Sequence, residues 1–236
     1  LVPALLLAGC NASVGGGDDA AKGTNGPDGS RSFAAADFTG VELAGADDVV
    51  IKQGASFSVV ATGPQSVLDQ LVVSVADGVL VVRRKTMGMS WSDAQTATVT
   101  VTMPVLASAA ISGSGDLTAD RAAADSVAAT LSGSGDLSIA TVDAKTVALS
   151  LAGSGDLKIG GGKADSGDLG LAGSGDMDAS GLSLANASVS LAGSGDIALT
   201  ATGAVKASLV GSGDVRVSGG AKCDSNAIGS GEVICG

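Results

Sequence analysis

Acidic residues recur at a fixed spacing along the second half of the chain, and they are the first side chains to which chemistry could be assigned. Asp116, Asp136, Asp156, Asp176, Asp196, Asp214 and Glu232 each close a tetrapeptide Gly-Ser-Gly-acid. The copies begin at Gly113, Gly133, Gly153, Gly173, Gly193, Gly211 and Gly229, at intervals of 20, 20, 20, 20, 18 and 18 residues. If the units stack as neighbouring strands, their carboxylates line up about 4.8 Å apart. Like charges at that spacing repel by about 1 kcal/mol per pair even in a water-like medium, so a ladder of bound Ca²⁺ would relieve them. The competing reading is conformational. Gly113 and Gly115 permit positive φ or close backbone approach, and Ser114 and Asp116 can hydrogen-bond nearby amides in ST and Asx turns. The conformational reading is preferred. One carboxylate per unit supplies few ligands, and the frame lacks the Gly-Gly-x-Gly-x-Asp repeat of calcium β-rolls.

Other chemistries find little to work with. The chain of 236 residues has no His, which removes the commonest general base and metal ligand and every His-containing triad. Glycoside hydrolysis can run on carboxylates alone, but it needs a distinct acid/base pair, and sugar sites usually present aromatic platforms. Here the acids repeat as equals, and the aromatic residues are Phe33, Phe38, Phe57 and Trp91 alone. No catalytic residue, metal or cofactor is assigned. A net charge of −11 argues against a nucleic-acid partner. The basic cluster Arg83-Arg84-Lys85 reads as a solvated strand end rather than a phosphate site.

The three cysteines divide into one and two. Leu1–Cys10 reads LVPALLLAGC, an apolar run ending in small residues before Cys10. It is too short to span a bilayer as a helix and reads as the tail of a secretory signal. Leu7-Ala8-Gly9-Cys10 resembles a bacterial lipobox, which predicts acylation of Cys10 and stable attachment through its acyl chains. Asn11, rather than Asp, after the cysteine leans toward the outer membrane. Residues 11–32 carry Gly, Asp, Asn and Ser with almost no large apolar side chain; the segment 10–32 reads as a flexible tether. Cys223 and Cys235 flank the last tetrapeptide and are expected to pair in an exported protein. That bridge would lock the final repeat, contributing on the order of 3 kcal/mol.

The elements that position the acids follow from the flanks of the repeat. An apolar residue stands two before each of the first six tetrapeptides, at Ile111, Leu131, Leu151, Leu171, Leu191 and Leu209. Another follows each of the seven: Leu117, Leu137, Leu157, Met177, Ile197, Val215 and Val233. Val147, Leu149 and Leu151 alternate with small or polar residues, and period two means strands with one buried face. Each unit is therefore strand, corner, short strand and polar loop. An antiparallel meander and a β-solenoid both accommodate such units. The solenoid is favoured because stacking forces identical corners to match, and a narrow interior suits aliphatic rows better than rings. The expected fold is all-β: a right-handed parallel β-helix with coils of 18–20 residues over 106–236. Residues 33–105 form a less regular β-rich front part of the same domain. There, strands are expected at 38–44, 48–53, 56–62, 71–76, 79–84 and 96–103. A short helix opens at Pro64, a hairpin turns at Asp77-Gly78, and Thr86–Ala94, with Trp91, forms an insertion. Gly45-Ala46-Asp47-Asp48, between Leu43 and Val49, reads as a degenerate copy of the tetrapeptide.

The pieces Phe38-Thr39-Gly40-Val41-Glu42-Leu43, Asp48–Gly54, Asp77–Val82, Val99–Leu106 and Ile111–Asp116 occur in this order. In them the chain resembles the head GIN domain family of auto-transporter adhesin heads, over nearly all of 33–236. The resemblance implies a β-helical domain on a lipoprotein or secreted protein, and it transfers no catalytic residue. Three functions follow for weighing: an envelope-bound binding or adhesion module for an extended glycan or protein ligand, a structural envelope lipoprotein, and a polysaccharide-active enzyme. The first two outrank the third, because no acid/base pair stands apart.

Overall fold

The computed structural model describes residues 20–26, 29–85 and 95–236. Cys10, the lipobox and Trp91 lie outside them. The repeat half forms a parallel β-solenoid, as the alternation of buried and exposed residues requires. Its units run through β9 (Ser108–Gly113), β10 (Leu117–Ala119), β11 (Ala122–Ala123), β12 (Ser126–Gly133), β13 (Leu137–Ile139), β14 (Val142–Asp143), β15 (Thr146–Gly153) and β16 (Leu157–Ile159). Longer strands that turn corners follow: β17 (Gly162–Gly173), β18 (Met177–Gly193) and β19 (Ile197–Ala201). β20 (Ala204–Gly211), β21 (Val215–Ser218), β22 (Lys222–Gly229) and β23 (Val233–Cys235) complete the stack.

The coils stack in register, residue on equivalent residue. Ile111, Leu131, Leu151, Leu171, Leu191 and Leu209 form one continuous inward row. Leu117, Leu137, Leu157, Met177, Ile197 and Val215 form another across the core. Every member of both rows is at most 2 % exposed. A third, short face is built by β11, β14 and the beginning of β17.

The front part is an insertion threaded back over the first coil. β3 (Gly40–Gly45) and β4 (Asp48–Gln53) form that coil around the degenerate corner. The chain then lays down β5 (Ser58–Thr62), α1 (Gln65–Leu68), β6 (Leu71–Ala76), β7 (Val79–Arg84) and β8 (Thr98–Met103) before rejoining the solenoid. β7 pairs with one side of β3 and β9 with the other, both parallel. β8 and β10 flank β4 in the same way. So β7 and β8 make a coil stacked ahead of β3 and β4, although they follow them in sequence. Antiparallel strands finish this end: β6 on β7, and on the other face β5 on β8, β2 (Ser30–Phe33) on β5 and β1 (Gly23–Asn25) on β2. Pro64 immediately precedes α1, whose Val67 and Leu68 are fully buried. Asp77 and Gly78, with φ of 51° and 76°, make the expected tight turn between β6 and β7.

The tether is shorter than its composition suggests, because β1 lies inside residues 10–32 and β2 begins there. Arg31 and Phe33 explain the difference. The Arg31 guanidinium donates to Leu68 O at 2.6 Å and bonds the side chains of Asn25 and Asp69, while Phe33 is buried. Two residues at the end of a polar run thus dock it onto the front.

Candidate functional site

The seven tetrapeptides stack along one edge of the solenoid. The first glycine of each has φ between 132° and 149°, a region that favours glycine. A Cβ there would stand 1.9–2.2 Å from the carbonyl oxygen of the equivalent glycine in the coil before. The second glycine is equally constrained. At Gly155 an added Cβ would lie 1.9 Å from Gly135 O. The backbones approach closely because each serine N–H donates to the preceding coil's first-glycine carbonyl, as Ser154 does to Gly133 at 2.9 Å.

The acids act across coils and not within their own turns, which corrects the expectation of local Asx bonding. Asp116 Oδ1 accepts the N–H of Asp136 at 2.9 Å, and Asp136 accepts that of Asp156 at 3.0 Å. The chain of bonds continues through Asp156, Asp176, Asp196 and Asp214 to the amide of Glu232, at 2.8–3.0 Å. Asp48 begins it, accepting from Asp116 at 3.4 Å. Each carboxylate stands in for a carbonyl where the strand bends out of the ladder. The reverse bond is made by the backbone: Leu137 N–H donates to Asp156 O at 2.9 Å. Arg216 bridges Asp196 and Asp214 at 3.1 and 2.9 Å. The amide of Asp214, and then Arg216, hold the Asp196 carboxyl below the usual aspartate range. Among the described residues, no group of three or more His, Cys, Asp or Glu could hold a metal ion. With one oxygen of each of the six aspartates from Asp116 to Asp214 accepting the amide of the next corner, these acids are backbone acceptors.

Asp47 departs from the repeat in an informative way. It occupies the place of Gly115, yet its side chain is 1 % exposed. It lies beside the segment between β7 and β8, whose sequence holds no Gly-Ser-Gly-acid copy. Instead Asp47 accepts Arg84 Nε and Nη2 at 2.8 and 2.7 Å and Ala97 N–H at 2.8 Å. Arg84 also reaches Gln95 O at 2.8 Å. This clamp ties the end of β7 to the residues that lead into β8. Arg84 is therefore not the solvated strand end expected from its basic run, and Lys85 Nζ is bonded to Asp69 O at 3.0 Å. Its burial could have been suspected from the alternation of Leu80 and Val82. Its partner could not, since Asp47 lies 37 residues away.

A groove of about 490 Å³ runs along the short third face, floored by Ala124, Ala144 and Ala164 and edged by Asp125, Lys145 and Lys163. Lys145 pairs with Asp125 at 3.0 Å. On one rim Asp125, Lys145 and Asp165 alternate in sign from coil to coil, and on the other Asp143 is followed by Lys163. The groove is not legible in the sequence because each unit reads there as a polar loop, whereas Lys163 and Ala164 belong to β17.

Cys223 and Cys235 form the expected disulfide. They extend two inward rows, below Val205 and Val217, so the bridge crosses the mouth of the last coil. The site as a whole is a stack with continuous outer faces, and its aspartates are engaged as backbone acceptors. The chain belongs to the family described as putative auto-transporter adhesin, head GIN domain, which matches residues 37–221. Solved structures share the architecture. A putative adhesin from Bacteroides fragilis NCTC 9343 aligns with a TM-score of 0.79 at 21 % identity, covering 87 % of this chain and 95 % of its own. A putative adhesin from Parabacteroides distasonis ATCC 8503 gives 0.65 at 25 %, covering 93 % and 98 %. A putative lipid binding protein from the same organism gives 0.66 at 21 %, covering 88 % and 96 %. No curated protein matches the chain.

Proposed function

We propose that the protein is a lipid-anchored, non-catalytic envelope module that presents the solenoid to an extended glycan or protein ligand. One observation carries the reading. The broad face built by β12, β15, β17, β18, β20 and β22 is continuous, and small side chains dominate its outward rows ahead of the last two coils. Thr130, Ser150, Gly170, Ser190 and Ser208 stand in one such row. An extended ligand can lie close to the backbone of such a face across several coils. Family membership supports adhesion as the coarse role. The non-catalytic part rests on the equivalence of the acids: no carboxylate pair stands apart, and six of them already accept a backbone amide from the next corner.

Anchoring rests on Cys10 and the lipobox, and Asn11 points to the outer membrane. A structural envelope role without a soluble ligand is the second reading. A glycan and matrix-protein array probed with the Cys10→Ala chain separates the two. Reproducible binding, weakened by a bulky charge at Ser150 or Ser190, is the result expected for an adhesin. Silence across the array favours the structural role.

A further inference from the structure

The two ends of the solenoid are built differently. At the front, α1 buries Val67 and Leu68, the antiparallel strands overlay both faces, and Ala20 bridges to Ser74 on the outermost strand of the first face. At the back, β22 pairs with β20 over eight residues, and among the described residues its other edge carries no strand. Lys222 N–H donates inward to Gly203 O. By the alternation of a parallel strand, the N–H and C=O groups of Cys223, Ser225 and Ala227 then point out of the stack. The side chains at those three places face the core, where earlier coils bury Val205, Ala207 and Leu209.

The apolar surface gathers at the same end. Among the described residues four large hydrophobics are exposed, and three of them belong to the last two coils: Val210 at 52 %, Ile228 at 62 % and Ile234 at 46 %. Val210 and Ile228 are register neighbours. The outward row they belong to carries Ala152, Ala172 and Ala192 in the preceding coils. Exposed strand edges are usually blunted by proline, inward charges or bulges. Here no proline follows Pro104, and β22 pairs with β20 without a register shift. Charge does not oppose self-contact either: residues 219–236 hold only Lys222, Asp224 and Glu232, a side-chain sum of −1 in a chain of −11.

We infer that this edge is an interface for a second copy of the chain, joined back to back. At the front the outermost strands are β6, whose outer edge is met at Ser74 and Val73 by Ala20 and Ala21, and the three-residue β1; neither matches the eight-residue edge of β22, whereas a closed twofold pair sets that edge against itself. A twofold axis through Ser225 sets Cys223 against the partner's Ala227, with β22 of each copy antiparallel. The broad faces of the two copies then continue as one sheet, and Ile228 and Val210 flank the seam.

Sedimentation velocity of the full chain carrying Cys10→Ala, over about 1–100 µM, tests this in the range where specific association is measurable. A concentration-dependent dimer is expected. Ser225→Pro removes an outward N–H without touching a bond to β20, and Ile228→Glu charges the seam from an exposed position. Each should weaken the dimer at least about tenfold, as loss of a central interface contact does. If Ser225→Pro fails to fold, as judged by circular dichroism, Ile228→Glu decides alone. A chain that stays monomeric throughout, or a dimer that a folded variant leaves unweakened, overturns the inference.

Discussion

Asp156 shows what one residue of the ladder contributes. Its Oδ1 accepts the amide of Asp176 at 3.0 Å while the side chain stays exposed to water. Asp156→Ala should cost about 1–2 kcal/mol, the usual loss when a backbone donor goes unpaired. Asp156→Asn should be nearly neutral because it keeps an acceptor oxygen. Added Ca²⁺ or chelator should leave the melting temperature of both unchanged. Asp196 adds a pH dependence. Its folded-state pKa lies below the ordinary value, chiefly through the Asp214 amide. Its contribution is therefore complete above the unfolded value of about 3.9 and is lost as the pH falls through the lower folded value. Asp196→Asn should remove part of the acid-side fall in a plot of melting temperature against pH. The glycines allow a sharper contrast. Gly155→Ala places a Cβ 1.9 Å from Gly135 O and should prevent normal stacking, whereas Gly170, with open space around its Cβ position, should accept Ala without loss. Removing glycine entropy from the unfolded chain should stabilise Gly170→Ala by about 0.4–1 kcal/mol, read from urea midpoints.

At the scale of the element, the last coil depends on its bridge more than on its core. Inward positions that hold Val205, Ala207 and Leu209 in one coil hold Cys223, Ser225 and Ala227 in the next. Ser225 and Ala227 bury little there, so the disulfide is the main tie between β22 and β23. Cys223→Ser with Cys235→Ser should lower stability by on the order of 3 kcal/mol in the loop-closure estimate. Hydrogen exchange should locate the change, with amides of β22 and β23 losing protection first while β12 and β15 keep theirs. Uniform loss along the solenoid would contradict a local role for the bridge. The insertion works the other way. β5 to β8 fold back onto the first coil, so the front is closed by apolar packing around Phe38 and Phe57, whose ring centroids are 4.8 Å apart, and no bridge is needed there.

For the whole molecule, the stack is stiff, one-dimensional and polar in its construction, with a closed front and an open back. The front-end segment that leads into β1 also leads back to Cys10, so anchoring would place the capped end toward the membrane and leave the broad face free. Cys10→Ala should move the protein from the membrane pellet to the soluble envelope fraction. Continued sedimentation with membranes would locate the anchor elsewhere. A paired back end would join two broad faces across one seam, doubling the length available to an extended ligand.

The repeat could be read from the sequence because a solenoid is locally periodic. The same residue must recur wherever the backbone meets its neighbour, so Gly113 to Glu232 announced the corner, and Ile111 to Leu209 the core row. Cys223 and Cys235 were legible as a pair from their context. What sequence alone could not supply was anything that depends on chain crossing or on partners far apart. The degenerate corner at Gly45 was visible, but not that β7 and β8 precede it in space, since stacking order need not follow chain order. Asp47 looks like a drifted repeat residue; only the approach of Arg84 and the Ala97 amide, 37 and 50 residues away, makes it a buried clamp. The ladder acids were recognised as acceptors, yet their donors sit 18 or 20 residues on, because the bend that frees each amide exists only once two coils are stacked.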